Sequence, residues 1–394
     1  MDTISLLKQD TLNELHSILG YWEKNTIDFH QEGFIGQINY KNETIFSASK
    51  GAVLNTRILW AFSAAHSATQ KTSYFNNAYL AFNYIEKYFI DKEFGGLFWT
   101  VDYSGSPATT KKQVYAQAFA IYSLSEFYKI SKSETAKRLA VQIYSLLEKY
   151  AFDKCQSGYF EAFSRDWKHL EDVRLSNRDA NERKTMNTHL HILEAYTNLF
   201  TIWPDLNLKN RIRDLLDIFH SKIIDMESGH LHTFFSEDWQ IKHDSVSYGH
   251  DIEASWLLLE AAEIINEKKL IEKFKNTALI IAEATIPGID TDGGLWYELN
   301  PVTNETIREK HWWVQAEAVV GFLNAWQVSG ENRFLQYAIR CWQFIKEHIV
   351  DTKNGEWVWG IDQNYKIMDQ DKVGLWKCPY HNVRACLEVL KRLS

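Results

Sequence analysis

Apolar positions recur every three to four residues through most of this chain, in paired stretches separated by short glycine turns. Clear pairs are 112–130 with 133–150, 250–266 with 268–284, and 311–328 with 332–349. The leading stretch, as in KQVYAQAFAIYSLSEFYKI, is apolar around most of its circumference. The following one, as in SETAKRLAVQIYSLLEKY, alternates charges with a narrower apolar stripe. A helix wetted on one side belongs outside a fold, and one apolar nearly all round belongs inside. Each pair therefore reads as an inner helix followed by an outer one.

The turns repeat as well. EGFIG at Gly33, FGGLFW at Gly95, SGYFEAF at Gly158, SGHLHTF at Gly229, DGGLWYEL at Gly293 and NGEWVWG at Gly355 follow one another at 62, 63, 71, 64 and 62 residues. Glycine supplies the positive φ of a tight turn, and the aromatic and β-branched residues after it read as a short strand. Six such units fill the chain without a linker or low-complexity segment, so one domain over residues 1–394 is expected. Six pairs closing on themselves bury both terminal faces, whereas an open solenoid, the competing arrangement, needs polar caps. The expected fold is all-α: an (α/α)6 barrel, or toroid, of six inner and six outer helices, with short β-hairpin or strand segments at one rim.

Composition narrows the function. With 51 acidic against 43 basic side chains the net charge is −8, and no clustered basic surface marks a nucleic-acid partner. No apolar run is long enough for a membrane span. The start, MDTISLLKQDTLNELHSILGYW, lacks the basic n-region and small-residue cleavage site of a signal peptide. Four cysteines without a CxxC pair fit a reducing compartment, so a cytoplasmic location is expected. The aromatic load stands out, at 15 Trp, 19 Tyr and 22 Phe.

With the glycine turns at one rim, the start of each inner helix lies near it. That places Lys50 and Arg57, Tyr115, Asn187 with His189 and His191, His250 and Glu253, His311, Trp313 and Glu317, then Trp376 and His381, around one mouth. Polar and aromatic groups converging on a concave mouth mark a binding site. A lone histidine near a helix start is commonly structural, but several at equivalent stations are harder to read that way. Glu253 follows His250 by three residues and Glu194 follows His191 by three, so each pair shares a helix face, where a carboxylate can fix an imidazole's tautomer. His66, His220 and His348 read as structural or exposed, and 267–275 as a solvated face. His189 and His191 point about 200° apart and cannot chelate one ion together. No HExxH, acidic DxDxDG loop, GxGxxG, Walker A or GxSxG occurs. Neither a metal nor another cofactor is expected. Tryptophan faces pack well on the C–H faces of sugar rings, which makes a carbohydrate the natural partner.

Four blocks, MNTHLHILEAYTNL (186–199), SYGHDIEASWLL (247–258), KHWWVQAEAV (310–319) and LWKCPYHNVRACLEV (375–389), together resemble the N-acylglucosamine 2-epimerase superfamily, most closely its branch acting on cellobiose. The resemblance covers the whole chain and implies an (α/α)6 barrel and cofactor-free epimerisation at C2 of the reducing-end glucose of a β-1,4-linked disaccharide. It places the family's two proton-transferring histidines on His250 and His381, and its oxyanion-stabilising arginine on Arg57. His191 matches the histidine near the ring oxygen and Glu253 the acidic partner of the first base. Trp313 and Trp376 match the stacking tryptophans, with Tyr115, Asp179 and Asn187 as substrate hydrogen-bonders. The expected partner is a disaccharide of the cellobiose, lactose or mannobiose type, with the protein a monomer or weak homodimer.

The same residues allow other readings: a monosaccharide 2-epimerase or aldose–ketose isomerase, an (α/α)6 glycoside hydrolase using Glu253, Glu317 or Asp179, and a non-catalytic sugar-binding or protein-binding barrel. The one irregular spacing, 71 residues, places extra length in 164–187. Its eleven charged side chains predict a solvent-facing loop, and its position beside the mouth predicts a lid over the site.

Overall fold

The computed structural model describes residues 3–177, 179–243 and 245–394. Among them twelve α-helices run in chain order: α1 (Thr3–Asn25), α2 (Ala52–Thr69), α3 (Thr72–Tyr84), α4 (Val114–Ser131), α5 (Glu134–Leu146), α6 (Met186–Phe200), α7 (Leu206–Ile218), α8 (Tyr248–Ile264), α9 (Lys268–Thr285), α10 (Trp312–Ser329), α11 (Asn332–Phe344) and α12 (His381–Arg392). The even-numbered helices form an inner ring, each packed on the next, and α12 returns to α2. Burial explains the division. Residues 114–121 of α4 are buried without a break, whereas α11 buries a stripe at Phe334, Leu335, Ala338, Cys341 and Trp342.

Closure differs in one respect from a simple run of inner-then-outer pairs. The outer partner of α12 is α1, the first helix of the chain. Buried Glu356 joins the two ends by accepting from Trp22 Nε1 at 2.6 Å, Lys377 Nζ at 2.8 Å and Asn382 Nδ2 at 2.6 Å. The barrel is thus sealed by its own first helix, and no polar capping repeat is needed.

The rim is stitched by two-residue strands. The residues entering α2, α4, α6, α8 and α10 pair antiparallel with the strand after the next glycine turn, as in Lys50–Gly51 with Thr100–Val101 and Lys112–Gln113 with Ala162–Phe163. A repeated ion pair fixes these junctions. Lys50, Lys112, Lys184, Lys310 and Lys372 reach Asp28, Asp91, Asp153, Asp290 and Asp351 at 2.8, 2.9, 2.7, 2.8 and 2.5 Å. Each aspartate opens a glycine turn. Four of the lysines stand two residues before their inner helix, where the α8 unit has Val246 instead. Gly158 shows why the turn needs glycine: at φ 81° an added Cβ would lie 2.7 Å from His189 Nε2 and 2.5 Å from the Trp239 ring.

Up to the strand Lys184–Thr185 that leads into α6, the described residues of 164–187 form a loop, as their charge predicts, but it is anchored. Trp167 and Val173 are buried, Trp167 stacks on Tyr150, and the Val173 carbonyl accepts from Gln113. The expectation of a segment with no place in the core is corrected by these two side chains.

Among the rim ion pairs, Lys184 is the most heavily committed, donating to Asp153 and to the carbonyls of Ser157 and Glu237. Lys184→Met leaves Asp153 buried without its cation, so a loss of about 3–5 kcal/mol is expected. Urea unfolding of the variant measures it, and a loss below about 1 kcal/mol would show the pair to be dispensable.

Candidate active site

Register along the inner helices decides which side chains meet in the barrel. Tyr115, Asn187 and Trp313 are each the second residue of their helix, and Arg57, His191, Glu253 and Glu317 are each the sixth. Positions four apart share a helix face, so both sets point inward. The fourth position faces the rim instead. There Gln117, His189, Asp251 and Gln315 accept the backbone N–H of Leu97, Tyr159, Leu231 and Leu295 at 2.8, 2.9, 3.0 and 2.7 Å. His189 is therefore a hairpin clamp, and its burial pushes its pKa down to about 4.

Three imidazoles occupy the interior. His191 Nδ1 lies 2.9 Å from Glu194 Oε2, His250 Nδ1 lies 2.7 Å from Ser247 Oγ, and His381 Nδ1 lies 2.7 Å from Glu317 Oε1. Each Nδ1 is occupied, which leaves each Nε2 for a ligand. Burial pushes His250 down to about 3, and burial with the cations of Arg57 and Arg384 lowers His381 as well. Both are neutral bases at neutral pH. Trp313 lies against both, with ring centroids 4.7 Å from His250 and 5.7 Å from His381. Across the interior, Arg57 donates from Nη2 to Tyr115 Oη at 2.7 Å and lies 4.1 Å from the Phe119 ring and 4.6 Å from the Tyr380 ring. Tyr115 is edge-on to His191 at 5.0 Å and to Trp376 at 6.1 Å.

Beneath the imidazoles lies a buried charge cluster centred on Arg384. Its guanidinium donates to Glu194, Tyr380 and Glu253, and to Glu317 Oε1 at 2.7 Å. Burial opposes the charge of Glu194, but Arg384 and His191 hold its pKa down to about 2. Burial raises Glu317, and burial with the neighbouring Glu317 raises Glu253 to about 7. Ligand atoms of Glu253, Glu317 and His381 approach within 4.8 Å of one another, a metal-like spacing. The guanidinium of Arg384 holds the cationic place between the two carboxylates.

A cavity of about 510 Å³ opens beside His250, lined by Asn187, Tyr297 and, from the long loop, Val173, Arg174, Leu175, Asp179, Ala180 and Glu182. A larger one, about 620 Å³, opens at the far end of the barrel and shares only Glu194 and Arg384 with the cluster. It holds no imidazole, so the smaller cavity is the one beside the chemistry.

The pattern of the N-acylglucosamine 2-epimerase (GlcNAc 2-epimerase) family matches residues 33–385. The chain belongs to that family. It is 46% identical to a cellobiose 2-epimerase of Bacteroides fragilis, over 98% of this chain and 99% of that one. The structure of cellobiose 2-epimerase from Bacillus thermoamylovorans superposes with a TM-score of 0.93 at 38% identity, covering 98% of this chain and 100% of that one. A D-mannose isomerase of Marinomonas mediterranea is 25% identical, over 87% of this chain and 86% of its own length. Family membership makes the chain an isomerase of the epimerase type, and the (α/α)6 barrel read from the six repeats is its fold.

Within this epimerase-family site, the structure gathers Arg57, Tyr115, His191, His250, Glu253, Trp313, Trp376 and His381 into one interior, with Asp179 and Asn187 on the wall of the adjoining cavity. One pairing is corrected. Glu253 does not partner His250; its carboxylate turns to Arg384 and lies 4.0 Å from His381 Nδ1, while Ser247 takes the place beside His250. His250 and Glu253, three apart, point to different neighbours. Sequence reasoning missed Arg384, Tyr380 and Ser247. Arg384 sits fourth in a helix that starts late, outside the second-and-sixth register, so no spacing signal marks it.

His189 gives a pH test with a defined sign. Its folded pKa, about 4, lies below the ordinary 6.5. Below pH 6.5 the unfolded chain binds a proton that the folded chain refuses, so stability is lost as pH falls from 6.5 toward 4. His189→Gln installs the side chain that clamps the equivalent hairpins at Gln117 and Gln315. It should flatten that part of the curve of thermal midpoint against pH while leaving the midpoint at pH 8 within a few degrees.

Proposed function

We propose that this protein catalyses reversible epimerisation at C2 of the reducing-end glucose of a β-1,4-linked disaccharide, cellobiose to glucosyl-mannose and also lactose to epilactose. The observation that carries the reading is the pair His250 and His381, two buried neutral imidazoles on different inner helices, both against the single ring of Trp313. Inverting a carbon by proton removal and return needs one base on each face. A pair with free Nε2 atoms, each steadied at Nδ1, meets that need.

The C2 hydrogen becomes acidic only when the ring opens and C1 is an aldehyde. His191, steadied by Glu194, assists opening by proton transfer at the ring oxygen. One of His250 and His381 then takes H2, leaving an enediolate, and the other returns a proton to the opposite face. The guanidinium of Arg57 and the hydroxyl of Tyr115 stabilise the developing oxygen charge as preorganised donors. Trp313 and Trp376 stack on sugar faces. All these groups are side chains of this protein, and the proposed chemistry calls for no cofactor. The roles of the two bases exchange with the direction of reaction.

The cavity of about 510 Å³ favours a disaccharide over a monosaccharide, since it adjoins His250 and offers polar groups at Asp179 and Asn187 for a second ring. The long loop forms part of its wall, which supports a lid role in excluding water. The identity of the D-mannose isomerase relative keeps a monosaccharide isomerase as the second reading. A hydrolase needs two carboxylates flanking a bond, whereas Glu253 and Glu317 are both tied to one guanidinium.

Incubation with cellobiose in heavy water, followed by NMR at C2, tests the reaction: glucosyl-mannose carrying deuterium at C2 is expected, and fructose-type product or free glucose would overturn the reading. His250→Ala and His381→Ala should each lower turnover by about 10²–10⁴-fold in folded protein, and a near-normal rate in either would remove that residue from the two-base scheme. Trp376→Ala should weaken turnover of cellobiose more than that of mannose. Equal losses would place Trp376 at the reacting ring.

A further inference from the structure

Glu253 is 1% exposed, and its two oxygens have different surroundings. Oε1 accepts from Arg384 Nη2, while Oε2 is buried with no hydrogen-bond partner. The groups facing it are Glu194 and His191 of α6, Glu317 of α10, His381 and Arg384 of α12 with Tyr380 just before that helix, and Tyr115 of α4, while Arg57 of α2 faces His381. His250 precedes it on its own helix.

Charge and donor supply point the same way. Three carboxylates surround one guanidinium, none of the four residues more than 5% exposed, an excess of negative charge that burial penalises. Glu194 accepts from His191, Tyr380 and Arg384, and Glu317 from His381, Arg384 and Trp256. Glu253 accepts from Arg384 alone. Of the three it is the carboxylate least supported as an anion, and an ionised Glu253, its Oε1 4.0 Å from His381 Nδ1, would repel an enediolate formed at that base. A neutral acid there would instead have an O–H with nothing else to bind. An apolar site can hold a carboxylic acid neutral so that it donates to an oxyanion.

We propose that Glu253 works as a neutral carboxylic acid whose Oε2–H donates a hydrogen bond to the enediolate, sharing its charge with Arg57. The proton stays on Glu253 throughout, and H2 travels only through the histidines. The donor role rests on the epimerisation reading; the protonation does not.

Infrared difference spectra between the wild type and Glu253→Gln read the protonation in ligand-free protein. An un-ionised carboxyl C=O band is expected at pH 6 in the wild type, lost on titration through about 7 and absent from the variant. No such band overturns the proposal, whatever reaction the enzyme catalyses. Burial also raises Glu161, to about 8, so the Glu253 band is the one lost in Glu253→Gln, or in Glu253→Ala should the Gln variant fold poorly. Kinetics read the donor role. Gln keeps shape and a donor, so Glu253→Gln should stay within about tenfold of wild type, with a flatter kcat profile above neutral pH. Glu253→Ala should lose about 10²–10³-fold in kcat. A larger loss in Glu253→Gln, or a near-normal rate in Glu253→Ala, overturns the donor role. Failure of the wild type to exchange hydrogen at C2 would instead sink the epimerisation reading and leave the infrared result standing.

Discussion

Arg384 ties together three inner helices that the chain delivers far apart. Its guanidinium bonds Glu194 on α6, Glu253 on α8 and Glu317 on α10, with Tyr380 at the head of its own helix. Two of these carboxylates also hold imidazoles, Glu194 holding His191 and Glu317 holding His381. A planar fork of donors suits this arrangement in a way that a lysine ammonium does not. The position of two imidazoles thus follows from one cation. A cluster of this kind is costly to bury and contributes little net stability. Its value lies in orientation.

Stability comes from elsewhere in the molecule. The inner helices are apolar almost all round, and the outer helices cover them with single stripes. The rim is pinned by lysine–aspartate pairs that recur with the glycine turns. Glu356 joins the first helix to the last. These devices lie outside the reacting centre, so the interior is free to hold unsatisfied and titratable groups such as Arg57 Nε and Glu253 Oε2. The separation is built into the register. In α4, α6, α8 and α10 second and sixth positions face the site, whereas fourth positions clamp the hairpins.

That division accounts for two neighbouring histidines with opposite roles. His189 and His191 are separated by one residue, yet one binds the backbone of Tyr159 and the other faces Tyr115 and Glu194. Residue type alone does not separate them; their places on the helix do.

The sequence by itself determined the repeat, the inner and outer character of the helices and the rim at which the glycine turns gather, because solvent exposure is written into local periodicity. It also picked out His250, His381 and Trp313, through short blocks that keep their neighbours in order, and Arg57 near the start of an inner helix. Tertiary structure alone decided that α1 would close the ring, that Trp167 and Val173 would anchor the long loop, and that Glu253 would serve Arg384 rather than His250. The physical reason is range. A helical period reports what one face meets, but the surroundings of Arg384 come from residues 67, 131 and 190 positions away. No local spacing encodes a charge balance shared among four helices, and it is that balance which sets the protonation of the groups at the centre.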